Sequence, residues 1–228
     1  MRILHLYPNL MNLYGDYANI TVLKKHLEDQ GFEVKTDRRE VYETFDPDAY
    51  DFIYMGSGTE KNLLIALEAL NKYKYYLKKY IDRGGAVLFT GNAMELLGNR
   101  IDDHKALGFV DFNTLTSEKR YTGDVIVRNS EIGEVVGFIN RSTITEGGED
   151  QKLFDYEFRY EGLKDNDYEG CRYKNLFGTH IIGPVLVKNP CFMNLIVSIL
   201  LKGRYRKISY PIEESAYQTT LSELKKRK

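Results

Sequence analysis

Apolar positions in this chain fall into short solid blocks separated by helical stripes. Ile3-Leu4-His5-Leu6-Tyr7 predicts a first strand, stopped by Pro8. Ile20, Leu23 and Leu27 recur at helical spacing and Gly31 ends the segment, predicting a helix over Ile20–Gln30. Glu33-Val34-Lys35 predicts a short second strand, and Tyr50–Met55 a third that runs into Gly56-Ser57-Gly58. Leu63–Arg83 reads as one long helix closed by Gly84-Gly85. Ala86–Phe89 is then a fourth strand, followed by a tight turn through Thr90-Gly91-Asn92 and a helix from Ala93. Strands that alternate with amphipathic helices predict an α/β fold, a flavodoxin-like doubly wound and mainly parallel sheet with right-handed crossovers.

Beyond Gly98 the texture changes. Val125–Val127, Val135–Ile139 and Leu153–Tyr160 are short strands separated by Gly, Asn and Asp, which predicts antiparallel additions in the second half. Asn175–His180 leads into Ile181–Leu186, and Cys191–Lys202 predicts a last apolar helix behind Pro190. With no repeat and no low-complexity linker, residues 1–203 read as one domain and 204–228 as a polar tail or helix. Within that tail Ser222–Lys228 is expected to be a frayed helix or disordered.

Composition narrows the function classes. A length of 228 residues is enough to bury a sizeable core. The net charge of −1 carries no electrostatic footprint for nucleic acid, and Lys225-Lys226-Arg227-Lys228 reads as a solvated end. Two cysteines make no disulfide framework, which favours a reducing, cytoplasmic setting. Met1-Arg2 runs straight into the first strand, too short for a signal peptide, and no apolar run approaches the ~20 residues of a membrane span, so no membrane insertion is expected.

The segment Ala86–Gly98, AVLFTGNAMELLG, has the strand–turn–helix pattern of a nucleophile elbow. Such a turn exposes its tip residue beside backbone N–H groups that can stabilise an oxyanion. The tip here is Gly91, which has no side chain to attack with. Gly56-Ser57-Gly58, at the end of a predicted parallel strand, faces the crevice where ligands bind in such sheets.

Four segments together carry a family resemblance: LYPNLMNLYGDYANITVLKKH (Leu6–His26), GSGTEKNLL (Gly56–Leu64), GNAMELLG (Gly91–Gly98) and RYKNLFGTHIIGPVLVKNP (Arg172–Pro190). They resemble class I glutamine amidotransferases of the cobyric-acid-synthase-like group, over about Arg2 to Leu201. Within the group the likeness is nearest to amidotransferase subunits that work with a Mur-ligase-like partner on a lipid-linked peptidoglycan precursor. The resemblance implies the class I amidotransferase sheet. It also implies a Cys at the elbow, a general-base His in the late strand, and an oxyanion N–H from the Gly56-Ser57-Gly58 loop.

Matched residue by residue, the Cys position falls on Gly91 and the following glycines on Asn92 and Ala93. Gly178-Thr179 and Gly183-Pro184 place the His position on Ile182. Both members of the dyad are therefore replaced. Glutamine hydrolysis in this class needs a thiolate and a proton relay, so the resemblance implies a degenerate site with no catalytic residue intact. Gly56, Ser57, Gly58, Thr90, Gly91, Asn92, Glu95 and His180 are expected to line its vestigial pocket. Neither cofactor nor metal is expected, and His104 in Asp102-Asp103-His104 reads as a solvated loop residue.

Thr90 and His180 are the candidates for displaced chemistry, with Glu95 beside them; in a strand, His180 would share a face with Ile182. Cys171 and Cys191 read as small buried apolar groups, His5 as a core or strand-end residue, and His26 as solvated. Asn12-Leu13-Tyr14-Gly15-Asp16 reads as an exposed surface for a partner. Among the 18 tyrosines, Tyr73, Tyr76 and Tyr80 read as one packed helix face. Three functions follow: a non-catalytic subunit or scaffold with a Mur-ligase-like partner, a module that binds glutamine or a related small amino acid without turnover, or an enzyme with relocated catalytic residues.

Overall fold

The computed structural model describes residues 1–159 and 168–227; Tyr160 and Lys228, which end two of the expected segments, lie outside the described residues. In chain order the strands are β1 (Arg2–Leu6), β2 (Lys35–Arg39), β3 (Phe52–Met55), β4 (Ala86–Thr90), β5 (Arg100–Ile101) and β6 (His104–Lys105). They continue as β7 (Phe112–Asn129), β8 (Gly133–Gly147), β9 (Lys152–Arg159), β10 (Tyr168–Tyr173) and β11 (Leu176–Thr179). The helices are α1 (Tyr17–Asp29), α2 (Glu60–Asn71), α3 (Lys74–Asp82), α4 (Val185–Lys188), α5 (Pro190–Leu201) and α6 (Pro211–Lys225).

The centre of the sheet is parallel, in the order β2-β1-β3-β4-β11. β3 and β4 are buried along their whole length because helices cover both faces, which is why they read as solid apolar blocks. Alternate residues feed two cores. Ile53, Met55, Val87 and Phe89 pack against Leu63, Leu67 and Leu70 of α2 and Leu77 of α3. Ile3, Phe52, Tyr54 and Leu88 pack against Leu23 and Leu27 of α1 and Phe192 and Ile196 of α5. Antiparallel strands extend the sheet beyond β11, through β10, β9 and β7. The chain reverses its strand order between β1 and β3, the switch point outside whose carboxyl ends ligands bind in open α/β sheets.

Several expectations are corrected. The second strand is Lys35–Arg39, later than Glu33–Lys35: it is an edge strand of polar residues and offers no apolar block to read. The long helix breaks in two at Lys72-Tyr73, where the Tyr73 ring turns inward and stacks on Phe45 with centroids 4.0 Å apart. Tyr80 is also buried, whereas Tyr76 is exposed, so the three tyrosines do not share a face. The helix after the elbow is a tight 3-10 segment, Gly91–Leu97, with six of its seven residues buried.

The strands expected at Val125–Val127 and Val135–Ile139 are the apolar centre of one long hairpin, β7–β8. The tail is ordered through Lys225: α6 buries Leu221 and Leu224 against Ile126 and Val136 of that hairpin. The same helix covers His26, which is buried rather than solvated. Its Nε2 lies 3.0 Å from Glu213 and its ring stacks on Tyr210 at 3.9 Å. Among the described residues no helix is long and apolar enough to cross a membrane.

Candidate functional site

The loops after β1, β3, β4 and β11 meet at the carboxyl end of the parallel sheet. Gly91 is the tip of the turn after β4, with φ +60°, in the left-handed region that disfavours a side chain. A Cβ placed there would meet Ser57 Cβ and Oγ at 2.5 Å and Ile182 Cγ2 at 3.1 Å. Gly91 and Ile182 are therefore neighbours in space, with Ser57 packed over both the turn and its missing side chain. Ile182 is held by a single bridge to Phe138 of β8, its N–H donating to the Phe138 carbonyl at 2.9 Å.

The loop after β3 is immobilised by its neighbours. Any Cβ on Gly56 would lie 2.8 Å from both Asp16 Cβ and the Met11 carbonyl, and one on Gly58 would collide with the Met11 sulfur. The Ser57 N–H donates to Asp16 Oδ2 at 2.8 Å, and the Gly58 N–H donates to Asn92 Oδ1 at 2.9 Å. Ser57 Oγ donates to the same Asn92 oxygen at 3.1 Å, while Asn92 Nδ2 donates back to the Gly58 carbonyl at 2.9 Å. The Ser57 and Gly58 N–H groups of the loop are thus both satisfied from within the chain, by Asp16 and by the Asn92 amide.

Below the turn lies a polar network. Thr90 Oγ1 is 2.8 Å from the Tyr54 hydroxyl and donates to Asp16 Oδ2 at 3.3 Å. Asp16 is fully buried, so the patch Asn12–Asp16 is exposed only at Leu13 and Tyr14. Burial pushes the Asp16 carboxyl up to about 6, although Ser57, Thr90 and Gly183 donate to it. Tyr14, with φ +61°, accepts from Asn140 of β8 at 3.2 Å and so bridges the β1 loop to the hairpin.

A second buried cluster sits behind the 3-10 segment. β11 ends at Thr179, so His180 and Ile182 do not share a strand as expected. The His180 N–H and Nδ1 approach Glu169 of β10 at 2.8 and 3.3 Å, and Thr179 Oγ1 donates to Glu169 at 2.6 Å. Burial works against the charge on Glu169, yet the His180 and Thr179 contacts and the Arg141 charge hold its carboxyl below the usual range. Glu95 accepts from Thr143 at 2.7 Å and lies 3.8 Å from His180 Nε2; burial pushes its carboxyl up.

Of the expected pocket residues, Ser57, Gly58, Asn92 and Glu95 do line a cleft of about 210 Å³. Gly56, Thr90 and His180 are packed away behind it, and Gly91 is covered by Ser57. The opposite wall comes from the hairpin, chiefly Arg120, Asn140 and Arg141, with Arg120 Nε donating to Asn140 at 2.6 Å. Sequence reading placed Asp16 on an exposed patch and missed Glu169, Arg120 and Arg141; Asp16 comes in at the start of α1, and the pairing of distant strands brings the other three. The two thiols offer no substitute nucleophile: burial pushes Cys171 far up and Cys191 up to about 11. Among the described residues no group of three or more His, Cys, Asp or Glu side chains is placed to hold a metal ion.

Comparison with known proteins fits this architecture. A model of the CobB/CobQ-like glutamine amidotransferase domain matches residues 2–190. The chain is 31% identical to the lipid II isoglutaminyl synthase (glutamine-hydrolyzing) subunit GatD of Streptococcus pneumoniae, over 98% of this chain and 88% of that one. It is 30% identical to the GatD subunit of Staphylococcus aureus, over 83% and 79%. Among solved structures it resembles PurLQS from Thermotoga maritima, at TM-score 0.56 and 16% identity over 78% of this chain and 85% of that one. A second, described as a glutamine amidotransferase, matches at TM-score 0.58 and 14% identity over 86% and 98%. The structural likenesses speak for the fold alone. The matched domain and the relatives, spanning the elbow, the β3 loop and the late strand alike, mean that the chain belongs to the CobB/CobQ-like glutamine amidotransferases.

Proposed function

We propose that this chain is a non-catalytic glutamine amidotransferase-like subunit that acts with a Mur-ligase-like partner in amidation of a lipid-linked cell-wall precursor. Relatedness to the two GatD subunits supports the pathway. The packing of Ser57 and Ile182 against Gly91 supports the loss of chemistry. A glutaminase of this class attacks the side-chain amide with a thiolate and relays protons through an imidazole. Here the attacking position is a glycine whose side-chain space is occupied, and the relaying position is an aliphatic residue. In the loop from which the resemblance draws an oxyanion donor, the Ser57 and Gly58 N–H groups already donate to Asp16 and Asn92.

Relocated chemistry is disfavoured by the same geometry. Thr90 is fully buried between Tyr54 and Asp16, and His180 is committed to Glu169. Oxyanion donors and binding alone leave about 10³-fold over water in enzymes stripped of their catalytic residues, too little for a working glutaminase. The 210 Å³ cleft lined by Glu95, Arg120 and Arg141 favours a second reading, in which a small amino acid such as glutamine is bound without turnover.

The test is ammonia release from glutamine by the purified chain, alone and with the ligase-like partner, alongside labelling by a glutamine-analogue chloroketone that traps active-site thiols. Background ammonia and no label are expected. Turnover well above background would overturn the proposal. Thermal stabilisation by glutamine without hydrolysis would favour the second reading.

A further inference from the structure

We propose that the outer face of α3, with the cleft beside Gly108, is a docking surface for an anionic phospholipid bilayer. Segment 72–83 carries Lys72, Lys74, Lys78, Lys79 and Arg83 against the single carboxylate Asp82. Asp82 is already engaged, 2.6 Å from Lys78 and 4.0 Å from Lys174, and Arg83 is paired with Asp48. Among the described residues no ion pair involves Lys72, Lys74, Lys79 or Lys105. The cations crowd one another: burial and then the Lys105 charge push the Lys74 ammonium down. In a chain of net charge −1 this is a local concentration of positive charge, not a general property.

Aromatic side chains are interleaved with these lysines. Tyr75 and Tyr76 are 67% and 58% exposed and stand edge to face, 5.5 Å apart. Tyr75, Tyr76 and Lys79 are three and four residues apart on α3 and form one outward stripe, and Lys72, at the break just before α3, borders the same cleft as Lys74 and Tyr75. The inner face of the same helix buries Leu77, Tyr80 and Ile81. Beside the stripe, Lys74 and Tyr75 form one wall of an open cleft of about 450 Å³ with Leu107 and Phe109 in the other.

The chemistry of the stripe distinguishes its occupant. Protein–protein interface cores are depleted of lysine. Lysine with tyrosine is the pairing found where a helix lies on a membrane: the ammonium meets lipid phosphate and the ring settles at the headgroup level. α3, with 9 residues, is far too short to span, so contact is peripheral.

The experiment is co-sedimentation of the whole chain with phosphatidylcholine vesicles and with vesicles in which about a third of the lipid is phosphatidylglycerol. Binding to the anionic vesicles alone is expected, with release at about 0.5 M salt, where screening shortens to a few ångströms. Lys72→Gln with Lys79→Gln should weaken partition roughly 30-fold, each lysine contributing about fivefold. Tyr75→Ser with Tyr76→Ser should weaken it with the salt dependence kept. All four positions are outside the core, so circular dichroism should match wild type. Equal sedimentation with neutral and anionic vesicles, or wild-type binding by the double lysine variant, would overturn the proposal. So would loss of association with the ligase-like partner in that variant while anionic vesicles are ignored, which would make the stripe a protein interface. Neither glutamine nor turnover enters the assay, so its outcome is independent of the state of the elbow.

Discussion

Ile182 Cγ2 lies 3.1 Å from the point where a side chain on Gly91 would begin. Residues 91 positions apart in the chain thus meet as a packing contact, at the two places where the family resemblance positions a nucleophile and its base. The elbow geometry persists around them: the strand, the left-handed turn residue and the buried turn of helix are all present.

Restoring the thiol alone should damage the protein rather than revive it. In Gly91→Cys the new Cβ would sit 2.5 Å from Ser57, at a positive φ. Backbone strain and overpacking each cost about 1–3 kcal/mol, so a loss of about 2–6 kcal/mol is expected in urea unfolding. Ammonia release should stay at background, in this variant and in Gly91→Cys with Ile182→His.

Asn92 is expected to act as a plug on the β3 loop. Asn92→Gly removes the acceptor of the Gly58 N–H and the donor to its carbonyl. Lost hydrogen bonds and freed backbone at a partly buried site should cost about 1–3 kcal/mol. Amide hydrogen exchange would show it directly: the Gly58 N–H should exchange faster while Ser57, held by Asp16, keeps its protection. Unchanged exchange at Gly58 would mean that Asn92 does not hold the loop.

Asp16 makes stability depend on pH. Its carboxyl is raised from 3.8 to about 6 by burial, so the folded state holds the proton more tightly than the unfolded chain. The contribution is therefore full below about pH 4, is lost as pH rises through about 6, and is flat above that. Two pKa units correspond to about 3 kcal/mol. Asp16→Asn lacks this dependence, so its stability relative to wild type should improve by about 2–3 kcal/mol between pH 4 and pH 8, read from chemical denaturation at each pH.

The Glu169–His180 pair should be structural. His180→Ala leaves a buried carboxylate with one side-chain partner fewer, and breaking a buried pair costs about 3–5 kcal/mol. Glu169→Gln keeps an acceptor for Thr179 and the His180 N–H and should be milder. If His180→Ala instead kept full stability but abolished a measurable amidase activity, His180 would belong to a displaced catalytic site.

The parallel half of the fold was legible because strands buried on both faces, such as Phe52–Met55 and Ala86–Thr90, must be apolar throughout. Lys35–Arg39 escaped reading because its pairing with β1 needs only backbone, and its side chains carry no pattern. The site divided in the same way. Gly91 and Ile182 were found by position in local motifs. Asp16 and Glu169 were not, since burial of a carboxylate is decided by what folds over it. The β7–β8 hairpin hid Arg120 and Arg141 for another reason: polar alternation along a half-exposed ribbon resembles loop sequence.

A branched sheet of this breadth ends in rows of unpaired backbone groups, and such rows recruit foreign strands. β2, with Lys35, Asp37, Arg38 and Arg39, presents charge along one rim, and β6, two residues long, ends the path of strands at the other. β8, which branches off β7, has Asn189 bonded to both backbone groups of Val136 and Ile182 bridged to Phe138 along its outer edge. Charge, shortness and covering side chains thereby hinder growth by strand addition at these edges. Charge-removing changes in β2 would open that rim to strand addition and turn this protein toward aggregation.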